Sequence, residues 1–176
     1  MNYETTAEME LAVVMHFHAR KNVIVPNISW GMFPYELDLC VLNNDSLYAS
    51  EVEIKISKSD LKADAKKQHH HDKNGNYIKY LWFAMPEKLR GCEELVPENA
   101  GILYINKNGF GNVFRKPVVN PMAKKWDYEK AFKLARLGTL RIWDLKRKVI
   151  GITKDYQKFR ESIKEKNAKI SIEERQ

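Results

Sequence analysis

Two neighbouring segments with alternating apolar and polar side chains constrain the fold of this chain more than any other feature. The first spans residues 35–42, the second spans residues 47–57, and Asn43-Asn44-Asp45-Ser46 lies between them. An alternation with a period of two is typical of a half-buried strand. A short polar turn between two such segments indicates a hairpin. The sequence therefore predicts two paired strands with one apolar and one polar face.

The polar face of this predicted hairpin carries an unusual set of charges. Asp38 and Glu36 lie on the first strand, and Glu51, Glu53 and Lys55 lie on the second. Residues i and i+2 of a strand point to the same side, so Glu53 and Lys55 project together and Asp38 can join them. Like charges opposite one another destabilise a sheet, which favours a functional explanation for this clustering. The alternative is a hairpin whose charged face is only solvated.

The residue types on this face suit phosphate chemistry. Two converging carboxylates repel each other unless a cation lies between them, and Mg²⁺ binds through oxygen ligands. An ammonium group beside them can orient a water molecule or stabilise the charge that develops on a phosphate. The chain has three other acid-x-Lys triplets, but these fall in predicted helices, where positions i and i+2 do not face each other. Asp38, Glu53 and Lys55 are therefore candidates for metal-dependent hydrolysis of phosphodiesters.

The remaining pattern predicts helices on the faces of a mixed sheet, an α/β fold. A helix is expected from Thr5 or Thr6 to Lys21, with Leu11, Ala12, Met15 and Ala19 on its buried face. An edge strand is expected over residues 23–30, because Pro26 lacks a ladder donor. The other predicted elements are a helix from Ser57 or Ser59 to His71, strands over residues 77–85, 101–106 and 110–115, and two basic helices over 128–149 and 154–169 separated near Gly151.

Charge is distributed unevenly along the chain. The 176 residues carry a net charge of +7, and residues 124–176 hold 16 basic and 8 acidic side chains. A basic region suits a polyanion, most often nucleic acid or an acidic membrane, although a merely solvated helix face has the same composition. The length fits one domain. We expect a core over residues 1–120 and a basic helical extension over residues 121–176, packed on the same domain.

The composition also indicates a cytoplasmic protein. No apolar run reaches the length of about 18 residues that a membrane helix needs, so no membrane association is expected. Glu4, Glu8 and Glu10 lie where a secretory signal would be basic. Cys40 and Cys92 form no Cys-x-x-Cys unit, which favours reduced, buried thiols.

The order of these features resembles the PD-(D/E)XK nuclease superfamily. A helix with a glutamate, a strand with Asp38, a strand with Glu53-Ile54-Lys55, a helix and a strand follow one another over residues 5–106. This resemblance implies a restriction-endonuclease-like αβββαβ core. Residues 51–60, then Asp64 and Lys67, then residues 80–86 and 97–101 are similar, more loosely, to the MmcB-type DNA-repair nuclease family.

The resemblance assigns roles to individual residues. Asp38 and Glu53 match the metal ligands, with the backbone carbonyl of Ile54 as a further ligand, and Lys55 matches the catalytic lysine. The helix glutamate, which completes the metal site directly or through water, matches Glu8 best. Glu10 remains an alternative, since the two point about 200° apart on a helix. Leu37 stands where the motif has a proline, which is a departure from the pattern.

The function implied is a metal-dependent DNA endonuclease that uses Mg²⁺ or Mn²⁺, in DNA repair, recombination or the processing of phage or mobile-element DNA. Lys58, Lys62 and Lys67 flank the predicted site and either contact DNA phosphates or form a solvated face. The principal alternative is an inactive module of the same fold that binds DNA or a partner protein through its basic face. A third interpretation is a small-molecule hydrolase with a carboxylate–metal site. A homodimer is one candidate assembly.

Overall fold

The fold is described from a computed structural model, which covers residues 3, 5–28, 31–33, 35–64 and 77–173. The elements are α1 (Thr6–His16), β1 (Asn22–Ile28), β2 (Leu37–Asn43), β3 (Ala49–Ile54), α2 (Lys58–Asp64), β4 (Ile78–Pro86), β5 (Gly101–Ile105), β6 (Gly111–Arg115) and α3 (Tyr128–Glu173). Two short 3₁₀ turns, Glu87–Leu89 and Glu93–Leu95, lie between β4 and β5. Residues 139–173 of α3 belong to a separate compact unit, described below.

The six strands form one mixed sheet in the order β1-β2-β3-β4-β5-β6. The hairpin partners β2 and β3 are antiparallel, as are β1–β2 and β5–β6. The β3–β4 and β4–β5 pairs are parallel, and α2 lies in the connection between β3 and β4. The predicted α/β class, with a mixed sheet flanked by helices and the element order αβββαβ, is confirmed.

Both faces of the sheet are buried, and this determines which side chains enter the core. On one face, Met9, Ala12 and Val13 of α1 pack with residues of β2 and β3 such as Leu39 and Val52. A second cluster combines residues of β1 and β2 with Trp126 and Leu134. A third joins Leu61 of α2 to β4 and β5. Both faces of the hairpin formed by β2 and β3 are therefore covered by apolar side chains. Asp38, Glu53 and Lys55 lie at one end of these two strands.

The first helix differs from the prediction in its length and in its buried face. It ends at His16 rather than Lys21, and His18 two residues later has a positive φ of 53°, which a continuing helix cannot adopt. Leu11 and Met15, which we expected in the core, are 70% and 72% exposed. Leu11 and Met15 form one apolar stripe on this helix, and Met9, Ala12 and Val13 form another. The contact with the sheet selects the one that contains Met9.

The C-terminal region also differs from the prediction, because Gly151 does not interrupt the helix. A glycine in a helix interior costs only about 1 kcal/mol relative to alanine, and α3 continues through Gly151 to Glu173. The chain divides into two compact units, residues 1–138 and 139–176. The first unit thus extends beyond residue 120, since Trp126 and Leu134 are buried in its core.

The part of α3 in the second unit is strongly charged, with basic residues throughout. Within the described ranges, none of the helices combines the length and the apolar character needed to cross a bilayer.

Candidate active site at the end of the hairpin

The hairpin brings Asp38 and Glu53 to the same place. Leu39 pairs with Val52 and Cys40 with Glu51, and the same antiparallel register sets Asp38 opposite Glu53. One oxygen of Asp38, Oδ2, accepts a hydrogen bond of 2.8 Å from the backbone N–H of Ile54. This bond orients the Asp38 carboxylate at the carboxyl end of β3. The two acidic residues predicted from the hairpin therefore lie together.

Lys55 lies at the centre of the cluster. Its Nζ is 2.6 Å from Glu53 Oε2, 3.0 Å from Asp64 Oδ1 and 3.8 Å from Asp38 Oδ2. The backbone N–H of Lys55 donates to the carbonyl of Ala84 on the parallel strand β4, which fixes the chain just after β3 ends. The lysine side chain is only 5% exposed. The structure thus brings Asp38, Glu53 and Lys55 to one point, with a buried ammonium in the middle.

Asp64 is a member of the cluster that the sequence analysis did not assign to the site. It is buried at the end of α2, three residues after the fully buried Leu61, so the two lie on the same side of that helix. In the sequence, Asp64 is the acidic residue of one of the acid-x-Lys triplets in a predicted helix. Positions i and i+2 of a helix do not face each other, so this triplet was not assigned to the site. The signal that could have found it is a carboxylate on the apolar side of a short helix, where burial without a cationic partner is costly.

Glu51 lies deeper in the sheet, next to Glu53 along β3. It is fully buried, and the hydroxyl of Tyr35 donates a hydrogen bond of 2.9 Å to its Oε2. Burial and the nearby charge of Glu53 raise the pKa of Glu51 to about 8, against the opposing effect of the Tyr35 hydrogen bond. The alternation over residues 35–42 predicts Tyr35 on the apolar side of the first strand, together with Leu37. Tyr35 instead precedes β2, which begins at Leu37, and its hydroxyl reaches Glu51 from outside the paired strands.

The charges of Glu53 and Lys55 perturb each other. Burial and the charge of Asp38 raise the pKa of Glu53 above its ordinary value, although Lys55 counters part of this effect. Burial alone would lower the pKa of Lys55, but the charge and hydrogen bond of Glu53 outweigh it and raise the pKa above the ordinary value. Lys55 is therefore a cationic donor at neutral pH. This one ammonium lies within 3.8 Å of three carboxyl groups, those of Asp38, Glu53 and Asp64.

The two helix glutamates have different environments. Glu8 is exposed and forms a capping box with Thr5, since its Oε2 accepts from the Thr5 backbone N–H at 3.1 Å and its own N–H donates to the Thr5 hydroxyl at 3.3 Å. Glu10 is half-buried, and burial together with the charge of Asp38 raises its pKa. The structure therefore places Glu8 at the helix cap and couples Glu10 electrostatically to the cluster.

The predicted DNA-contacting lysines lie partly within the described structure. Lys58 and Lys62 are exposed on α2, the helix that contributes Asp64. Lys67, and the three consecutive histidines at 69–71, lie outside the described residues. The two described lysines are thus available to solvent near the chain segment that forms the site.

The donor set of the cluster fits a hard divalent cation. All of its acidic groups offer oxygen, which is the ligand type that Mg²⁺ and Mn²⁺ prefer. Burial and, after it, repulsion from a neighbouring carboxylate raise the pKa values of Glu51 and Glu53, and a divalent ion would relieve the repulsion. In the described ranges, no three acidic, histidine or cysteine side chains are arranged as ligands around one point. The Lys55 ammonium lies within 3.8 Å of Asp38, Glu53 and Asp64 and so competes with a metal for them.

Comparison with known proteins does not place the chain in a family. No protein-family model matches it. No curated protein sequence matches it at a significant level. The interpretation of the site therefore depends on its residues and geometry.

Proposed function

We propose that this protein is a metal-dependent nuclease that hydrolyses phosphodiester bonds in DNA. The observation that carries the proposal is the convergence of Asp38, Glu53 and Lys55 at the ends of two paired strands. A buried lysine surrounded by carboxylates is costly to maintain. Its placement at a half-exposed aspartate, where a substrate can reach it, favours a catalytic role over a purely structural one.

Asp38 and Glu53 would hold the metal ion, Mg²⁺ or Mn²⁺, with the carbonyl of Ile54 as a further ligand. A bound ion would supply a nucleophilic water and charge neutralisation at the phosphate. The hydrogen bond from Ile54 N–H leaves Asp38 oriented before any ion arrives. Glu10 is the helix carboxylate that we assign to the site, in preference to Glu8, because Glu10 is half-buried whereas Glu8 is exposed in the capping box. Burial, together with the charge of Asp38, also raises the pKa of Glu10.

Lys55 would act on the substrate as a hydrogen-bond donor. Its raised pKa keeps the ammonium charged, so it can orient the attacking water and stabilise negative charge on the phosphoryl oxygens. Asp64 holds the ammonium from the side of α2 at 3.0 Å and acts as a positioning residue. Glu53 therefore need not be the sole anchor of the lysine when it binds a metal.

DNA is the proposed substrate because the protein is basic and because exposed lysines accompany the site. The net charge is +7, and Lys58 and Lys62 are exposed on the helix that carries Asp64. Phosphate contacts of this kind give affinity without sequence specificity and weaken steeply with salt.

The test is cleavage of a labelled DNA with and without Mg²⁺ by the wild type, Asp38→Ala and Lys55→Ala. We expect metal-stimulated cleavage by the wild type and its loss in both variants. Asp45→Ala in the exposed turn of the hairpin and Lys116→Ala, an exposed change beyond β6, are matched controls that remove the same charges. Equal cleavage by the wild type, Asp38→Ala and Lys55→Ala would remove the proposed roles.

One observation supports a second candidate, a module of this fold that binds DNA without cutting it. Lys55 lies close enough to three carboxylates to pair with them without any metal. Salt-dependent DNA binding with no metal-stimulated cleavage would select this function.

A further inference from the structure

The second unit carries a regular apolar stripe along α3. Its side chains follow one another at alternating spacings of three and four residues, and each is between 40% and 69% exposed. They are Ile142, Leu145, Val149, Ile152, Tyr156, Phe159 and Ile163. We call these seven residues the seam. Their mean spacing of 3.5 residues is that of positions a and d in the heptad repeat of a coiled coil.

The seam is too large and too regular for an ordinary solvated face. Seven large apolar side chains extend over about 33 Å at the helical rise of 1.5 Å per residue. Monomeric proteins rarely expose a contiguous apolar patch of this kind. Most of the stability of a helix in a protein comes from the packing of its apolar face, so an apolar stripe of this length indicates a packing partner. A repeat of 3.5 rather than 3.6 residues keeps one narrow stripe facing a second helix, whereas a broad apolar face is expected of a helix lying on a membrane.

We propose that the seam binds the seam of a second copy of this chain, forming an antiparallel two-stranded coiled coil. The occupant is a second copy because the flanking charges of the helix complement themselves. With residue 149 of one copy level with residue 152 of the other, Lys148 faces Asp155 of the second copy, and the symmetry of the dimer repeats this pair. These residues occupy g positions, which lie beside the apolar core of a coiled coil.

No like charges meet in this antiparallel arrangement. Arg141 faces Ser162, and Lys146 faces Thr153. A parallel dimer gains a similar attraction, between Asp155 and Arg160, but sets Arg141 against Lys146 of the other copy. Like-charge pairs at such positions are destabilising, so the antiparallel orientation is favoured.

The sizes of the seam side chains favour the same orientation. In the antiparallel dimer, Phe159 packs opposite Ile142, Tyr156 opposite Leu145, and Ile152 opposite Val149. Each aromatic ring thus meets an aliphatic side chain. In a parallel dimer, each aromatic ring meets its own copy, which makes the core layers unequal in thickness. Even layers fill a coiled-coil core better than uneven ones.

The proposal is tested on the full chain by sedimentation equilibrium of the wild type, Ile152→Asp and Ile150→Asp. Ile150 is a matched control because it is an exposed isoleucine of the same helix but lies outside the seam. We expect the wild type to have twice the chain mass of 20.6 kDa. Ile152→Asp should dimerise at least about 100-fold more weakly, since each dimer would bury two charges. Ile150→Asp should stay within about threefold of the wild type.

A monomeric wild type at about 100 μM would overturn the proposal, since a two-stranded coiled coil of this length should assemble there. Equal dimerisation of the two aspartate variants would also overturn it. Circular dichroism of the variants distinguishes lost dimerisation from a chain that no longer folds. The result is independent of the proposed nuclease function, because no residue of the seam belongs to the candidate active site.

Charge exchange tests the orientation. Asp155→Lys should weaken the dimer about three- to tenfold by setting two lysines against each other. Adding Lys148→Glu should restore the affinity, because the pair is then reversed in sign. In a parallel dimer, Lys148→Glu would face Thr153 and restore nothing, whereas Arg160→Asp would. Rescue by Arg160→Asp instead of Lys148→Glu would overturn the antiparallel arrangement.

Discussion

Asp64 and Lys55 form a buried ion pair, with Oδ1 of the aspartate 3.0 Å from Nζ of the lysine and neither side chain more than 5% exposed. The pair ties α2 to the residue that follows β3. Asp64 is an anionic partner of Lys55 that lies outside the hairpin. Lys55 therefore keeps an anionic partner when Asp38 and Glu53 bind other groups.

Removal of Asp64 should destabilise the fold. Asp64→Ala leaves the Lys55 ammonium buried with fewer partners, and breaking a buried pair from one side costs about 3–5 kcal/mol. Urea unfolding measures the change in the free energy of unfolding. Lys62→Ala, an exposed substitution on the same helix, should remain within about 0.5 kcal/mol of the wild type. A loss below about 1 kcal/mol for Asp64→Ala would contradict a buried pair.

Glu51 should make the stability depend on pH. Its pKa is about 8 in the folded chain against an ordinary value of 4.5, so the folded state holds the proton over that interval. The stabilisation is complete below pH 4.5 and is lost as the pH rises through about 8. Glu51→Gln should therefore match the wild type near pH 5 and become more stable than it by pH 8.

The slope of this difference should not exceed about 1.4 kcal/mol per pH unit, the limit for one proton. Unfolding in urea at pH 5, 6.5 and 8 measures it. Glu36→Gln, an exposed change just before β2, is the control. Its free energy of unfolding should depend on pH in the same way as that of the wild type. If the free energy of unfolding of Glu51→Gln also depended on pH in the same way as that of the wild type, the pKa of Glu51 would not be raised in the folded state.

Divalent metal should stabilise the wild type through Asp38. Mg²⁺ at about 100 times its dissociation constant adds about 2.7 kcal/mol to the free energy of unfolding of a protein that binds it only when folded. Asp38→Asn should lose this response, while its amide oxygen can still accept from Ile54 N–H. Thermal unfolding with and without Mg²⁺, at equal ionic strength, measures the effect. A response of Asp38→Asn equal to that of the wild type would exclude Asp38 as a ligand.

Lys58 and Lys62 should contribute to the salt dependence of DNA binding. Each phosphate contact adds about 0.9 to the slope of log affinity against log salt. Lys58→Ala and Lys62→Ala should each lower that slope by nearly one unit, measured by fluorescence anisotropy. Lys116→Ala, an exposed change beyond the edge strand β6, is the control. If the slope of log affinity against log salt were unchanged in both Lys58→Ala and Lys62→Ala, the DNA would not contact α2.

Substitutions of Glu8 and Glu10 should have different effects, one on the stability of the fold and the other on metal binding. Glu8→Ala breaks the capping box with Thr5 and removes an acidic side chain from the first turn, which should cost about 0.3–1 kcal/mol while the Mg²⁺ response persists. Glu10→Ala should weaken the Mg²⁺ response if Mg²⁺ binds as proposed, because Glu10 is half-buried, and burial together with the charge of Asp38 raises its pKa. The same thermal measurements apply. The opposite pattern would return the metal-binding role to Glu8.

Local sequence patterns predicted the part of the site that lies on the hairpin, namely Asp38, Glu53 and Lys55. The alternation in β3 puts Glu53 and Lys55 on one side, and a short turn sets the register that brings Asp38 opposite Glu53. These relationships follow from strand geometry over two residues and from a hairpin a few residues long. The nuclease assignment itself remains a proposal.

The tertiary structure decided the features that depend on distant contacts. Asp64 reaches Lys55 because α2 packs Leu61 against β4 and β5. The sheet selects the Met9 stripe of α1, which leaves Glu8 exposed and Glu10 half-buried. By itself the sequence determined the hairpin, the sheet elements and three residues of the cluster, because period and turn chemistry act locally. The fourth residue and the buried face of α1 required packing between elements, whose free energy depends on surfaces that no local pattern specifies.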